Sequence, residues 1–208
     1  MNNLFDKGNF VKINNHFMSE GIEVLQQVSK VQEKYNKHDT DTFINELRDS
    51  ICGYYLGFDL VNTEKHGFDC KNSTTNKYLE VKSASFSANS WSATFNDTTL
   101  EKAESFTNNS LYLALAIWKN ASDLLFICFG QHPEIGKYLK GKIEDFNNQK
   151  SKRSTQTISL TKLIFDYNFK ILTTKSKEDL LQILITKNST FKKINPEIIL
   201  SLNEFKEI

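Results

Sequence analysis

Apolar residues first recur at near-helical spacing in "HFMSEGIEVLQQVSKVQEKYN" (16–36), at Phe17, Ile22, Leu25, Val28 and Val31, which predicts an amphipathic helix. A second helix is predicted from "DTDTF", capped by Asp39, Thr40 or Asp41, through "INELRDSICGYYLG". Its expected buried stripe is Phe43, Ile44, Leu47, Ile51 and Tyr54, with Glu46 beside the stripe. The period then changes. "YLEVKSASFS" alternates every second residue and predicts a strand. "WSATF" predicts a further strand, and "NDTTLEKAESF" a short helix capped by Asn96 or Asp97. Two strongly apolar strands follow, 111–118 and 123–129, of the kind found in the middle of a covered sheet. "HPEIGKYLKGKIEDFNN" predicts a helix with Pro133 in its first turn. After a polar loop (149–156) come strands near "QTISL" and "FKILTT", the helix "SKEDLLQILITK" and a last helix from Pro196. Helices, a mixed sheet and helices again predict an α/β fold around a single core.

Composition narrows the class. At 208 residues the chain fits one domain, or one domain with a small appendage, and 39% hydrophobic with 12% aromatic residues imply a folded protein. The apolar runs "LYLALAIW" and "LLFICFG" are too short to cross a bilayer. "MNNLFDKGNFVKINNH" at the N-terminus lacks the apolar core of a signal peptide, so the expectation is a cytoplasmic protein with no membrane association. Cys52, Cys70 and Cys128 form no CxxC pair and read as reduced thiols. His16, His38, His66 and His132 show no paired-ligand spacing, which argues against a zinc-type nuclease site. The net charge is only +1, so any affinity for nucleic acid must come from a local patch.

The candidate chemistry lies in "GFDCKNSTTNKYLEVKSAS" (67–85), with Asp69, Glu80 and Lys82. The Glu-x-Lys triplet alone carries little information: 14 Glu and 24 Lys in 208 residues predict about 1.6 such triplets by chance. Two are present, Glu80-Val81-Lys82 and Glu204-Phe205-Lys206, the second on the predicted last helix and read as a solvated face. Context separates them. Residues two apart on a strand share a face, so Glu80 and Lys82 point one way while Leu79 and Val81 anchor the strand in the core. If "CKNSTTNK" turns back as a hairpin loop, Asp69 arrives beside Glu80. Two carboxylates bind Mg²⁺, which keeps waters and accepts phosphate oxygen. The ion activates an attacking water, and the lysine positions that water or offsets charge developing on the phosphate. The plainer alternative makes Asp69 a turn residue, Glu80 and Lys82 a solvent-facing pair, and Glu46 a helix surface charge.

Asp69 followed by Glu80-Val81-Lys82 on an apolar strand resembles the PD-(D/E)XK motif of restriction-endonuclease-like nucleases. Glu46 in "NEL" is similar to the extra acidic residue many members carry upstream, and "SWSATFNDTTLEKA" resembles the strand, turn and helix that follow the motif in several bacterial restriction enzymes. The resemblance spans roughly residues 40–130 and departs at Phe68, which stands where the family's proline would be. It implies a restriction-endonuclease-like mixed central β-sheet flanked by α-helices. It also implies Asp69, Glu80 and the Val81 carbonyl as ligands of one or two Mg²⁺ per site, Lys82 as the catalytic lysine, and Glu46 as an accessory acid. The implied division is a single nuclease domain over 1–208: N-terminal helices and a dimer element (1–57), the catalytic core sheet (58–131), and a DNA-recognition segment with C-terminal helices (132–208).

For DNA, the segment 137–153 carries Lys137, Lys140, Lys142, Lys150, Lys152 and Arg153 against Glu144 and Asp145, six bases to two acids or +4. Gln149, Arg153 and Gln156 are side chains able to read base edges. The alternative is a solvated helix face and a loop. Asn89, Ser90 and Trp91 form a second candidate contact, with Trp91 either stacking on DNA or in the core. The expected activity is that of a type II restriction endonuclease, a homodimer on palindromic double-stranded DNA with a cognate DNA methyltransferase in its host. Rival expectations are a structure-specific repair or junction-resolving nuclease of the same fold, and a non-catalytic DNA-binding module.

Overall fold

The computed structural model describes residues 23–24, 27–28, 30–31, 33–34, 40–60, 68–72, 74–96, 98–108, 111–120, 122–150 and 155–205. Met1–Asn45 and Glu46–Ile208 form separate compact units. In the first, the described positions between 23 and 34 are helical, in keeping with the apolar period there. The elements that follow are α1 (Thr40–Leu56), β1 (Asp59–Leu60), β2 (Cys70–Asn72), β3 (Lys77–Ser85), β4 (Ser92–Phe95), α2 (Leu100–Thr107), β5 (Leu111–Trp118), β6 (Leu124–Gly130), α3 (Pro133–Asn147), β7 (Gln156–Ser159), α4 (Leu160–Phe165), β8 (Lys170–Thr173), α5 (Lys177–Lys187) and β9 (Ile199–Ser201).

The central sheet has seven strands in the order β1-β2-β3-β5-β6-β8-β9, and β4 pairs with β7 in a separate two-stranded ribbon. The sheet is mixed. β3 and β5 run parallel, as do β8 and β9, while the other neighbours are antiparallel. The most apolar strands, β5 and β6, lie in its middle, as their composition predicts for strands covered on both faces.

Alternation along the strands sorts two cores. On one face Leu79, Val81, Ala114, Ala116, Ile127 and Phe129 pack with Cys52 and Leu56 of α1. On the other, Leu113, Leu115, Ile117 and Cys128 pack with Ala103 and Phe106 of α2, Ile135 and Leu139 of α3, and Leu180 and Leu184 of α5. Glu80 is in register with Leu113 and Lys82 with Leu115, so the charged pair projects toward the α2 and α3 face. The fold is therefore α/β with a mixed central sheet flanked by helices.

Three local expectations need correction. The buried side of α1 carries Cys52, Gly53 and Leu56, whereas Leu47, Ile51 and Tyr54 are 37%, 38% and 79% exposed. The reason is close approach: a Cβ on Gly53 would lie 2.8 Å from the Cys70 sulfur, so the helix meets the sheet along its Cys52–Gly53 side and Leu47, Ile51 and Tyr54 fall away from that contact. The cap of α2 is Thr99, whose hydroxyl accepts the Lys102 N–H at 3.2 Å, in place of Asn96 or Asp97. Pro196 opens only a single 3-10 turn, and Ile199–Ser201 then adds a parallel edge strand beside β8.

A second glycine seats α2. A Cβ on Gly136 of α3 would stand 2.2 Å from both the Ala103 carbonyl and the Thr107 hydroxyl, whereas one on Gly141, five residues on in the same helix, would meet nothing within 4 Å. Gly136→Ala is expected to destabilise the protein by about 2 kcal/mol through overpacking. Gly141→Ala should stabilise it by about 0.5–1 kcal/mol through helix propensity. Urea denaturation of the two variants checks the contrast in sign.

Candidate active site

The hairpin that delivers the site is built by asparagine. Asn72 Oδ1 accepts the N–H groups of Thr74 and Thr75 at 3.0 and 2.9 Å, and its Nδ2 donates to the Gly57 carbonyl at 2.8 Å. Asn76 takes the left-handed conformation (φ 54°) that closes the turn. The loop is shorter than "CKNSTTNK" suggests, because Cys70–Asn72 is itself a strand paired with Lys77–Leu79.

This pairing leaves Asp69 at the mouth of the hairpin, bonded to β3 on either side of Glu80. Its N–H donates to the Leu79 carbonyl at 2.9 Å, and its Oδ2 accepts the Val81 N–H at 2.8 Å. A strand residue presents its N–H and C=O to the same edge, so the Val81 carbonyl faces the edge where Asp69 lies.

Glu80 is only 2% exposed, which removes the reading of a solvent-facing pair. A buried carboxylate needs charge compensation, and two ammonium groups supply it. Lys82 Nζ donates to Glu80 Oε1 at 2.5 Å and Lys102 Nζ to the same oxygen at 2.8 Å. The two lysine side chains are themselves 24% and 20% exposed. Among the described residues Glu80 Oε2 is buried with no hydrogen-bond partner. Lys82 also lies over the Phe95 ring of β4, 5.5 Å from its centroid. Burial acts to lower the Lys82 ammonium, but the charge and hydrogen bond of Glu80, then the charges of Asp69 and Asp49, raise it above its ordinary 10.5. Lys82 is therefore a fixed cation at neutral pH.

Two of these residues escaped the sequence. Lys102 sits in the predicted helix "LEKA", where nothing local distinguishes it from a solvated lysine. Asp49 lies on α1 one turn beyond Glu46, and the Cys70 thiol donates to its carbonyl at 3.6 Å. The charges of Asp49 and Asp69 both add to burial in holding the Cys52 thiol well above its usual range, which brings these acids and Cys52 into one electrostatic neighbourhood. Glu46 lies within α1, but its side chain is outside the described residues.

The donor set suits a hard divalent cation. Glu80 Oε2, buried without a proton donor, and the Asp69 carboxylate and Val81 carbonyl, which share one edge of β3, are oxygen donors of the kind Mg²⁺ takes beside waters and phosphate. Among the described residues no group of three or more His, Cys, Asp or Glu side chains is placed to hold a metal ion.

The candidate DNA contacts divide. Lys140, Gln149 and Lys150 are exposed, as are Asn89 and Ser90 in the bend after β3. Lys137 is held by Glu134 at 2.5 Å and Lys142 lies 3.9 Å from Asp145, so acids of the same helix offset part of the patch. Lys152 and Arg153 lie outside the described residues. Two of these candidate side chains are buried, Trp91 taking the core alternative. Trp91 is 4% exposed between Phe86 and Phe126, its Nε1 donates to the Phe86 carbonyl at 3.2 Å, and Lys187 caps its ring at 5.0 Å. Gln156 is 8% exposed because it begins β7 opposite Phe95. Among the described residues no helix is long and apolar enough to cross a membrane. No protein-family model matches the chain, and no curated protein matches it.

Glu80→Gln strands two partly buried ammonium groups and should cost about 2 kcal/mol of stability at neutral pH, less than a fully buried pair because both lysines retain some water. The Lys82 contribution is fully present below its ordinary 10.5 and is lost as pH rises through the higher folded-state value. Urea melts should thus show a constant gap between wild type and variant from pH 7 to 10 that narrows above it.

Proposed function

We propose that the chain is a Mg²⁺-dependent endodeoxyribonuclease with a restriction-endonuclease-like core, acting as a sequence-specific type II enzyme. It would bind double-stranded palindromic DNA as a homodimer and work opposite a cognate DNA methyltransferase in the host. The observation that carries this reading is the buried Glu80, with Oε1 taken by two ammonium groups and Oε2 partnerless, beside an Asp69 tied to the same strand.

In this reading Asp69, Glu80 and the Val81 carbonyl hold the ion. When bound, Mg²⁺ polarises the scissile phosphate and acidifies an attacking water. The protein's own contribution is orientation and charge. Lys82 stays protonated, so it is no general base: its ammonium donates to the attacking oxygen or to the phosphate as negative charge builds there. The Phe95 ring beneath it supplies an apolar wall that strengthens the interaction. Asp69, fixed by two main-chain contacts to β3, needs no reorganisation to present its carboxylate. Exposed Lys140, Lys150, Asn89 and Ser90 would meet the DNA backbone.

The test incubates wild type and Lys82→Ala with two unmethylated phage DNAs of different composition, in Mg²⁺ or EDTA. Discrete fragments are expected from wild type with Mg²⁺, none in EDTA, and cutting slowed at least about 100-fold in Lys82→Ala. A metal-dependent smear would instead favour the repair-type nuclease. Both DNAs left intact, or equal cutting by the variant, would overturn the assignment.

A further inference from the structure

Two lysines meet one oxygen of Glu80, and they reach it from different supports. Lys82 extends from the same strand as Glu80, two residues on, so a change of its own rotamer withdraws it without moving the backbone. Lys102 reaches across from α2. The start of that helix is capped by Thr99, which accepts the Lys102 N–H. Its next residue, Ala103, is fully buried, and the Ala103 carbonyl lies where only a glycine at position 136 leaves room. The support of Lys102 is thus fixed by helix packing on a separate element, while Lys82 shares the β3 backbone with Glu80 itself.

We infer that Lys102 is a positioning residue: from its seat on α2 it holds Glu80 Oε1, turning Oε2 toward the divalent cation and leaving Lys82 free to serve the substrate. This role rests on the nuclease reading and deepens it. With Lys82 turned to the phosphate, Glu80 keeps one ammonium at 2.8 Å and is never left as a bare charge in an apolar setting. The orphaned Oε2 is the geometric consequence. A carboxylate gripped on one oxygen presents the other in a set direction, as the outer partners of metal-ligating groups do.

The inference is tested with Lys102→Met, which keeps length without charge, and Lys102→Arg, which restores a cationic donor; thermal melts verify folding of each. Mn²⁺ binding is followed by electron paramagnetic resonance and calorimetry without DNA, and steady-state cleavage is measured alongside. Lys102→Met is expected to weaken Mn²⁺ binding about 10-fold or more, and to lower kcat with KM for DNA unchanged. Lys102→Arg should recover most of both. If Lys102→Met does not fold, Lys102→Gln against Lys102→Arg makes the same comparison. Unchanged or tighter Mn²⁺ binding in Lys102→Met would show that Lys102 only opposes the ion, and a raised KM with intact kcat would make it a phosphate contact; either overturns the inference. Wild type that neither binds Mn²⁺ nor cuts DNA overturns the nuclease reading and this role together. Wild type that does both, beside an unaltered Lys102→Met, overturns this role alone.

Discussion

A carboxylate almost without access to water keeps its charge only if cations are brought to it. Glu80 sets that demand, and much of the architecture around it answers. The register of β3 against β5 turns Glu80 and Lys82 to the face covered by α2 and α3. The glycine contact between those two helices lets α2 approach closely enough for Lys102 to reach the carboxylate. β4 leaves the main sheet to pair with β7, and Phe95 from that ribbon lies under Lys82. Shifting any of these supports would leave a buried charge incompletely matched.

The opposite face performs a different task. Leu79 and Val81 anchor β3 among aliphatic and aromatic side chains under α1, so the strand that carries the charges is held by apolar packing it does not share with them. Cys52 and Gly53 let α1 lie close to Cys70, and the main chain of Asp49 accepts the Cys70 thiol. Through that contact α1 brings an acid near Lys82 and Asp69. Negative charge therefore converges from the hairpin, the strand and the helix, against two lysines. Such a concentration of opposed charge, partly desolvated, is costly for folding.

The positive charge of the segment 137–153 is less concentrated than its composition suggests. Lys137 and Lys142 lean on acids of their own helix, and Arg48 is occupied by the Trp118 ring at 5.1 Å and the Asn120 carbonyl at 3.2 Å. Trp91 and Gln156 are buried and committed to packing. An aromatic ring or an amide near a strand start reads the same in the chain whether it faces solvent or a neighbouring sheet; here Trp91 packs against Phe86 and Phe126, and Gln156 pairs with Phe95 inside the β4–β7 ribbon.

Strands β3 to β8, most helices and the placing of Asp69 beside Glu80 and Lys82 could be read along the chain because they rest on local signals (alternation, apolar runs, Asn-rich turns and caps), whereas the short strands β1, β2 and β9 could not. The hairpin brings Asp69 beside Glu80 through a turn of a few residues, a short-range event that Asn72 and Asn76 encode. Burial of Glu80, its second lysine and the close contact of α1 at Gly53 belong to another class. Lys102 is 22 positions from Glu80, and its reach depends on a helix seat made by Gly136 on a third element. Periodicity reports which side of an element is apolar, but not how closely a neighbour can approach or which ammonium a buried oxygen will find. Those outcomes follow from steric fit between distant segments, which exists only once the chain has folded.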